Sequence, residues 1–139
     1  MDKVRMARQF IEAIPHARDL GLQLIKLENG VAVITMPYDK KLIGNPATAV
    51  IHGGAVSALM DTCSGAAVMS HPDAPGATAT IDLRIDYMRT AKPGDTITAT
   101  ATCYHMTRSV AFVRVTAVDS DTDNPVATAT GTFTVEGAR

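Results

Sequence analysis

The sequence predicts an α+β domain in which an antiparallel β-sheet wraps one long, buried α-helix. Three observations carry this expectation. Residues 55–70 give sixteen consecutive positions with a single charge, Asp61, and a helix with almost no polar face is a buried helix. Residues 77–88, ATATIDLRIDYM, alternate between apolar and polar side chains, the period of a half-buried strand. The segments TITATATCYH, SVAFVRVTAV and PVATATGTFTV are rich in β-branched residues and separated by turn chemistry, which extends the pattern into a meander of four strands.

The earlier elements follow in order. Val4, Ala7, Ile11 and Ile14 recur at helical spacing in residues 3–14, with Lys3, Arg5, Arg8 and Glu12 elsewhere on the wheel, so a short amphipathic helix is expected there, ended by Pro15. LGLQLIKLE and GVAVITMP flank the turn pair Asn29-Gly30 and read as a hairpin. Residues 38–51 lack periodicity and read as a loop; His71-Pro72 closes the long helix. On the alternating strand, Ala79, Ile81, Leu83, Ile85 and Tyr87 share one face, and Thr78, Thr80, Asp82, Arg84 and Asp86 the other.

With 139 residues, 46% hydrophobic and 19% charged, the chain fits one domain, residues 1–139, with its own core. Thirteen basic and fourteen acidic residues are dispersed without blocks, which disfavours nucleic acid and anionic membranes as partners. The longest uncharged apolar stretch, around residues 42–60, is broken by Asn45, Pro46, His52 and two glycines, unlike a membrane span. The N-terminus has charges scattered through its amphipathic pattern and no signal-peptide core, so a cytoplasmic location is expected. Cys63 and Cys103 are then read as reduced thiols.

Asp61 is the residue that asks for a reason, because an ionised carboxylate in apolar surroundings costs several kcal/mol unless something compensates it. One reading places it on the helix's single exposed strip. The other is chemical and draws on the preceding stretch, His52-Gly53-Gly54, which opens the helix. There, unpartnered N–H groups and the macrodipole favour an anion, and glycines let a ligand approach the backbone. A glycine-rich turn serving only the backbone is the alternative. Gly53 and Asp61 are eight residues apart, about 12 Å along a helix, too far for both to act on one carbonyl. If they do act together, two chains supply them across a two-fold interface.

The segments NPATAVIHGGAVSALMDTCSG and TIDLRIDYMRTAKPGD resemble the hotdog-fold acyl-CoA thioesterases, in particular the PaaI-like branch of phenylacetate-pathway type, over roughly residues 20–136. The resemblance implies that Gly53 polarises the thioester carbonyl through its N–H while Asp61 of the partner chain attacks it or activates water. It further implies that Asn45 orients the carbonyl or the water, that Thr80 holds a hydroxyl near the attacking water, and that His52 fixes the loop through hydrogen bonds. Alternation puts Thr80 opposite the apolar row. Gly54 belongs to the close-approach segment, and Arg89, Lys92 and Arg108 are candidate cations for the coenzyme A nucleotide. The expected assembly is a homodimer or homotetramer, with no cofactor beyond the substrate's own coenzyme A.

Other chemistries find less support. Cys63 lies about 200° around the helix from Asp61 and should face the core. The histidines at 16, 52, 71 and 105 have no metal-ligand spacing, and no phosphate loop or dinucleotide fingerprint is present. Seven methionines and no Trp suggest a pliable pocket wall. Two rivals remain: an acyl-thioester dehydratase or hydratase using His52 with Asp61, and a non-catalytic acyl-CoA-binding module.

Overall fold

A computed structural model describes residues 2–136. Six antiparallel strands form one sheet in the order β1-β2-β6-β7-β8-β5, where β1 is Gln23–Glu28, β2 Val31–Met36, β5 Thr80–Tyr87, β6 Ile97–Met106, β7 Val110–Val118 and β8 Ala127–Thr134. The long helix α3, Gly53–Ser70, lies against its inner face. This is the hotdog arrangement expected from the sequence. Leu59, Met60, Cys63, Ala66 and Ala67 of α3 are fully buried. They meet an inner sheet face rich in alanine, including Ala32, Ala99, Ala101 and Ala117, all equally buried. Small residues on the sheet let a helix lacking a polar face pack closely along much of its surface.

Several boundaries differ from those expected, each for a local reason. Asp2 caps α1, Lys3–Ala13, and Pro15 does more than end it: it opens a second short helix, α2, Pro15–Asp19, in the first-turn position proline favours. Asn29 and Gly30 both take positive φ, 50° and 86°, and close the β1–β2 hairpin as a primed turn. The segment 38–51, expected as a loop, contains a short 3-10 helix, Lys40–Leu42, and a small hairpin of β3, Ile43–Asn45, with β4, Val50–Ile51. Helix α3 begins at Gly53 rather than residue 55, because His52 supplies the cap. Among the described residues, no helix is long and apolar enough to cross a membrane.

The four-strand meander is corrected by the sheet order. Only β6, β7 and β8 follow one another; β5 crosses to the far edge and pairs with β8. As an edge strand it leaves apolar residues uncovered: Ile81 is 55% and Tyr87 52% exposed, whereas Leu83 and Ile85 are half-buried. The expected alternation also fails at one point. Register shifts between Thr80 and Asp82, so Thr80 pairs with buried Phe133 while Asp82 pairs with Thr132. Ile81 is the extra residue of a bulge, and the bulge turns Thr80 onto the helix side with Leu83 and Ile85.

Gly131 of β8 sits opposite Leu83, close to this bulge. A Cβ there would lie 2.8 Å from the Asp82 carbonyl oxygen, a backbone atom with no rotamer to give. Gly131→Ala is expected to destabilise the fold by about 1–3 kcal/mol, read as a lower urea midpoint at unchanged slope. An unchanged midpoint would mean that the edge strand is held loosely.

Candidate functional site

The start of α3 is built by the segment before it. The His52 N–H donates to the Leu42 carbonyl at 2.8 Å, and Gly44 packs so closely that a Cβ on it would lie 2.7 Å from His52 Cα. Ala49, at φ 62°, is held in its unusual conformation by an N–H bond to the Asn45 carbonyl and by the Tyr38 hydroxyl donating to its own carbonyl. His52 then caps the helix, its Nδ1 accepting from the Gly54 N–H at 2.7 Å. That bond makes Nδ1 the unprotonated nitrogen. A Cβ on Gly54 would lie 2.8 Å from Nδ1, so the cap itself requires glycine there.

Gly53 is different. Its N–H, the first of the helix, has no acceptor among the described residues, as expected of a first-turn donor. A Cβ on Gly53 would make only ordinary contact, 3.6 Å from the Tyr87 ring. The Tyr87 hydroxyl donates to the Gly53 carbonyl at 3.0 Å, tying the helix start to the edge strand. A cavity of about 300 Å³ opens beside Gly53, walled by Ile51, Val56, Tyr87, Met88 and Ala91 among others.

Asp61 sits two turns further on and is partly exposed. The half-buried residues of α3 are Ser57, Ala58, Asp61, Thr62, Gly65 and Met69, which form one stripe down the helix, and the carboxylate lies on it. The Thr80 hydroxyl, brought to the helix side by the bulge, donates to Asp61 Oδ1 at 2.7 Å. Oδ2 has no donor among the described residues. One oxygen is thus oriented and the other open to solvent or substrate, the arrangement of a held general base or nucleophile.

The other named residues divide by what engages them. Asn45 stands exposed at the tip of the β3–β4 hairpin, its Oδ1 accepting from the Ala47 N–H. Arg89 is committed to structure: its guanidinium forms a two-point ion pair with Asp119 at 2.6 and 2.7 Å and donates to the Asn124 carbonyl. Asp119 is buried, and Arg89 with the backbone N–H groups of Lys92 and Asp121 holds its carboxyl far below the usual carboxylate range. The Lys92 side chain is exposed, and Arg108 lies in the β6–β7 turn. Burial pushes the Cys63 thiol up to about 12, and its Sγ–H points at the Ala32 and Ala99 carbonyls, so it is a core group rather than a nucleophile.

Two contributors escaped the sequence. Tyr87 reads as one more apolar position in an alternating strand, yet its hydroxyl contacts the helix start. Asp119 follows a run of β-branched residues and precedes a turn, with no local sign of the arginine it pairs with thirty residues away.

Comparison with known proteins places this geometry. The profile of the thioesterase superfamily matches residues 48–126. The medium/long-chain acyl-CoA thioesterase YigI of Salmonella typhimurium is 29% identical over 143 aligned positions, covering 94% of this chain and 91% of that protein. Among solved structures, a Pseudomonas aeruginosa protein superposes with a TM-score of 0.83 at 35% identity, over 96% of this chain and 98% of that one. The Escherichia coli PaaI protein of the phenylacetic acid degradation operon gives 0.85 at 27% identity, over 99% and 98%.

Two stability measurements check the local chemistry. His52→Ala removes the cap and is expected to cost about 1 kcal/mol in urea unfolding, while His52→Asn, which keeps an acceptor, retains most of it. Asp119 has a depressed folded pKa, so its contribution is present above the ordinary carboxylate pKa of about 4 and is lost as pH falls below it. The stability gap between wild type and Asp119→Asn should therefore be constant from pH 7 to 5 and shrink towards pH 3. A gap that grows on acidification would contradict the ion pair.

Proposed function

The chain belongs to the thioesterase superfamily, and from that premise we propose that it hydrolyses acyl-CoA thioesters to a free carboxylic acid and coenzyme A. The observation that carries the reading is the held carboxylate: Asp61, fixed through Oδ1 by Thr80 on a half-open helix stripe, with Oδ2 unengaged. In the proposed reaction Asp61 acts as general base or as nucleophile. As base it takes a proton from water as the hydroxyl adds to the thioester carbon. The oxyanion forms against the Gly53 N–H at the positive end of α3, and its collapse expels the coenzyme A thiolate.

Gly53 and Asp61 lie on one helix and cannot meet over one carbonyl, so the proposed site combines two chains. Strand β5 touches both of them, Tyr87 at the Gly53 carbonyl and Thr80 at Asp61. Among the described residues nothing pairs with its outer edge, and Ile81, Tyr87 and the following Met88 are exposed. Antiparallel pairing of two such edges about a two-fold axis reverses one strand against the other. Asp61 of one chain would then face the helix start of its partner. A homodimer is the minimal assembly in this account, and pairing of two dimers would give the homotetramer.

Asn45, exposed near the helix start, is assigned to orient the carbonyl or water. The proposed coenzyme A contacts are the exposed backbone at Gly53-Gly54, whose second amide is already taken by His52, with Lys92 and Arg108; Arg89, already held by Asp119, braces that region instead. No cofactor is invoked beyond the coenzyme A of the substrate, and a cytoplasmic site of action is assigned. The dehydratase alternative needs His52 as an acid or base, but its Nδ1 is occupied as the cap of α3. A pure binding module gains nothing from an oriented acid beside an anionic ligand.

The test is thiol release from a panel of acyl-CoAs running from acetyl to palmitoyl, with phenylacetyl-CoA included. Asp61→Asn at matched folding is expected to lower kcat at least a hundredfold, and Thr80→Val by roughly tenfold through loss of orientation. Wild type that binds acyl-CoA but releases no thiol would sink the hydrolase reading.

A further inference from the structure

Tyr87 places a hydroxyl at the start of α3 for which the proposed reaction has no step. The Gly53 N–H belongs to the His52–Gly53 peptide, whose carbonyl accepts from the Ala55 N–H at 3.0 Å. The next peptide, Gly53–Gly54, is bonded at both ends: its N–H donates to His52 Nδ1 at 2.7 Å, and its carbonyl accepts from the Tyr87 hydroxyl at 3.0 Å. Only the backbone rotations of Gly53 separate the two peptide planes. Whatever holds the second plane therefore helps to set the direction of the Gly53 N–H.

The turn needs such a hold. Two consecutive glycines have more backbone freedom to lose than any other pair, and both are exposed, the buried part of α3 beginning only at Ala55. Among the described residues its other bonds arise within residues 42–57, from His52 to the Leu42 carbonyl, from Gly54 to the His52 ring and from the Ser57 hydroxyl to the Gly54 carbonyl. Bonds inside one segment fix its shape; a bond from outside fixes its place. The Tyr87 hydroxyl supplies the outside bond from β5, 34 residues along the chain, in a strand anchored by its pairing with β8. Its ring lies alongside Gly53, 3.6 Å from where a Cβ would stand. Thr80, earlier on the same strand, holds Asp61 Oδ1 in the same manner.

We propose that Tyr87 is the positioning residue of the oxyanion donor: its hydroxyl clamps the Gly53–Gly54 peptide so that the adjoining Gly53 N–H keeps one direction, without itself touching the reacting atoms. This inference rests on the thioesterase reading for the oxyanion, and on the hydrogen bonds alone for the clamp. An oxyanion donor acts only when aimed at the place where the charge develops, and deleting one outright lowers kcat by about 10²–10³. Releasing the donor without deleting it should forfeit part of that, roughly tenfold. The loss falls on kcat rather than KM, because the contact is made in the transition state and not with the bound substrate.

Tyr87→Phe removes the hydroxyl and keeps the ring against Gly53. Two measurements are made on this variant and on wild type: thiol release across pH 6–10 from the acyl-CoA of the panel that wild type hydrolyses fastest, and amide hydrogen exchange by NMR without any ligand. The variant is expected to lose roughly tenfold in kcat with KM within about twofold and an unchanged shape of the pH profile. Exchange at the Gly54 and Ala55 amides should quicken roughly tenfold, while Met60 and Cys63 in the middle of α3 keep their rates. An unchanged kcat, or exchange unchanged at Gly54 and Ala55, would overturn the inference and leave the thioesterase reading standing. A wild-type profile with a limb near pH 10 that the variant lacks would also overturn it, since the hydroxyl would then act on the reactants directly. Wild type without hydrolysis would sink the thioesterase reading and the catalytic role with it, and the exchange rates would still decide whether Tyr87 clamps the turn.

Discussion

A helix that is apolar on every side has to be covered on every side, and this fold follows from how far one sheet can cover α3. Strands β2, β6 and β7 bring alanine-rich inner faces against it and bury Leu59, Met60, Cys63 and Ala66 completely. A single curved sheet cannot close around the helix. The uncovered stripe runs beside the edge strand β5, and the one ionisable group of the helix sits on that stripe. Asp61 thus avoids the cost of full burial while keeping apolar neighbours on both sides. The placement that makes the carboxylate affordable is also the one that gives it a free oxygen.

Strand β5 links the fold to the site. It bonds the helix start through Tyr87 and the carboxylate through Thr80, and among the described residues nothing pairs with its outer edge. A bulge at Ile81 makes the second of these bonds; without it, Thr80 would point to the outer face with Asp82 and Arg84. The two glycines at the helix start are likewise divided in purpose. Gly54 gives its N–H and its space to the His52 cap, whereas the Gly53 N–H has no acceptor among the described residues and the residue crowds nothing. A capping histidine therefore leaves one of the first two amides open at the positive end of the helix.

What the sequence discloses is what short-range periodicity records. The apolar run 55–70, the Asn29-Gly30 turn and the β-branched segments each settle into the element expected of them, since each signal is local. The spacing of Gly53 and Asp61 along one helix is readable for the same reason. Sheet order is not: the crossing of β5 to pair with β8 depends on contacts such as Thr80 with Phe133 and Tyr87 with Ala127, far apart in the chain, and alternation cannot distinguish an edge strand from a central one. The bulge at Ile81 is equally silent, because it is imposed by the partner strand. The Arg89–Asp119 pair shows the same limit from the side of charge. An exposed-looking arginine near a site reads as a ligand contact until a buried carboxylate thirty residues away claims it.

The central claim is that the Gly53 amide and the Asp61 carboxylate act together from different chains. Gly53→Pro removes the amide hydrogen at the helix position where proline is best tolerated, after a residue, His52, already in the extended conformation that proline requires. The decisive measurement is acyl-CoA hydrolysis by Gly53→Pro, by Asp61→Asn, and by the two refolded together in equal amounts. For sites shared between subunits, each variant alone is nearly inactive, and random reassociation restores about a quarter of wild-type activity, because mixed dimers contain one intact site. A mixture no more active than its separate components, with mixed dimers demonstrably formed, would contradict the account.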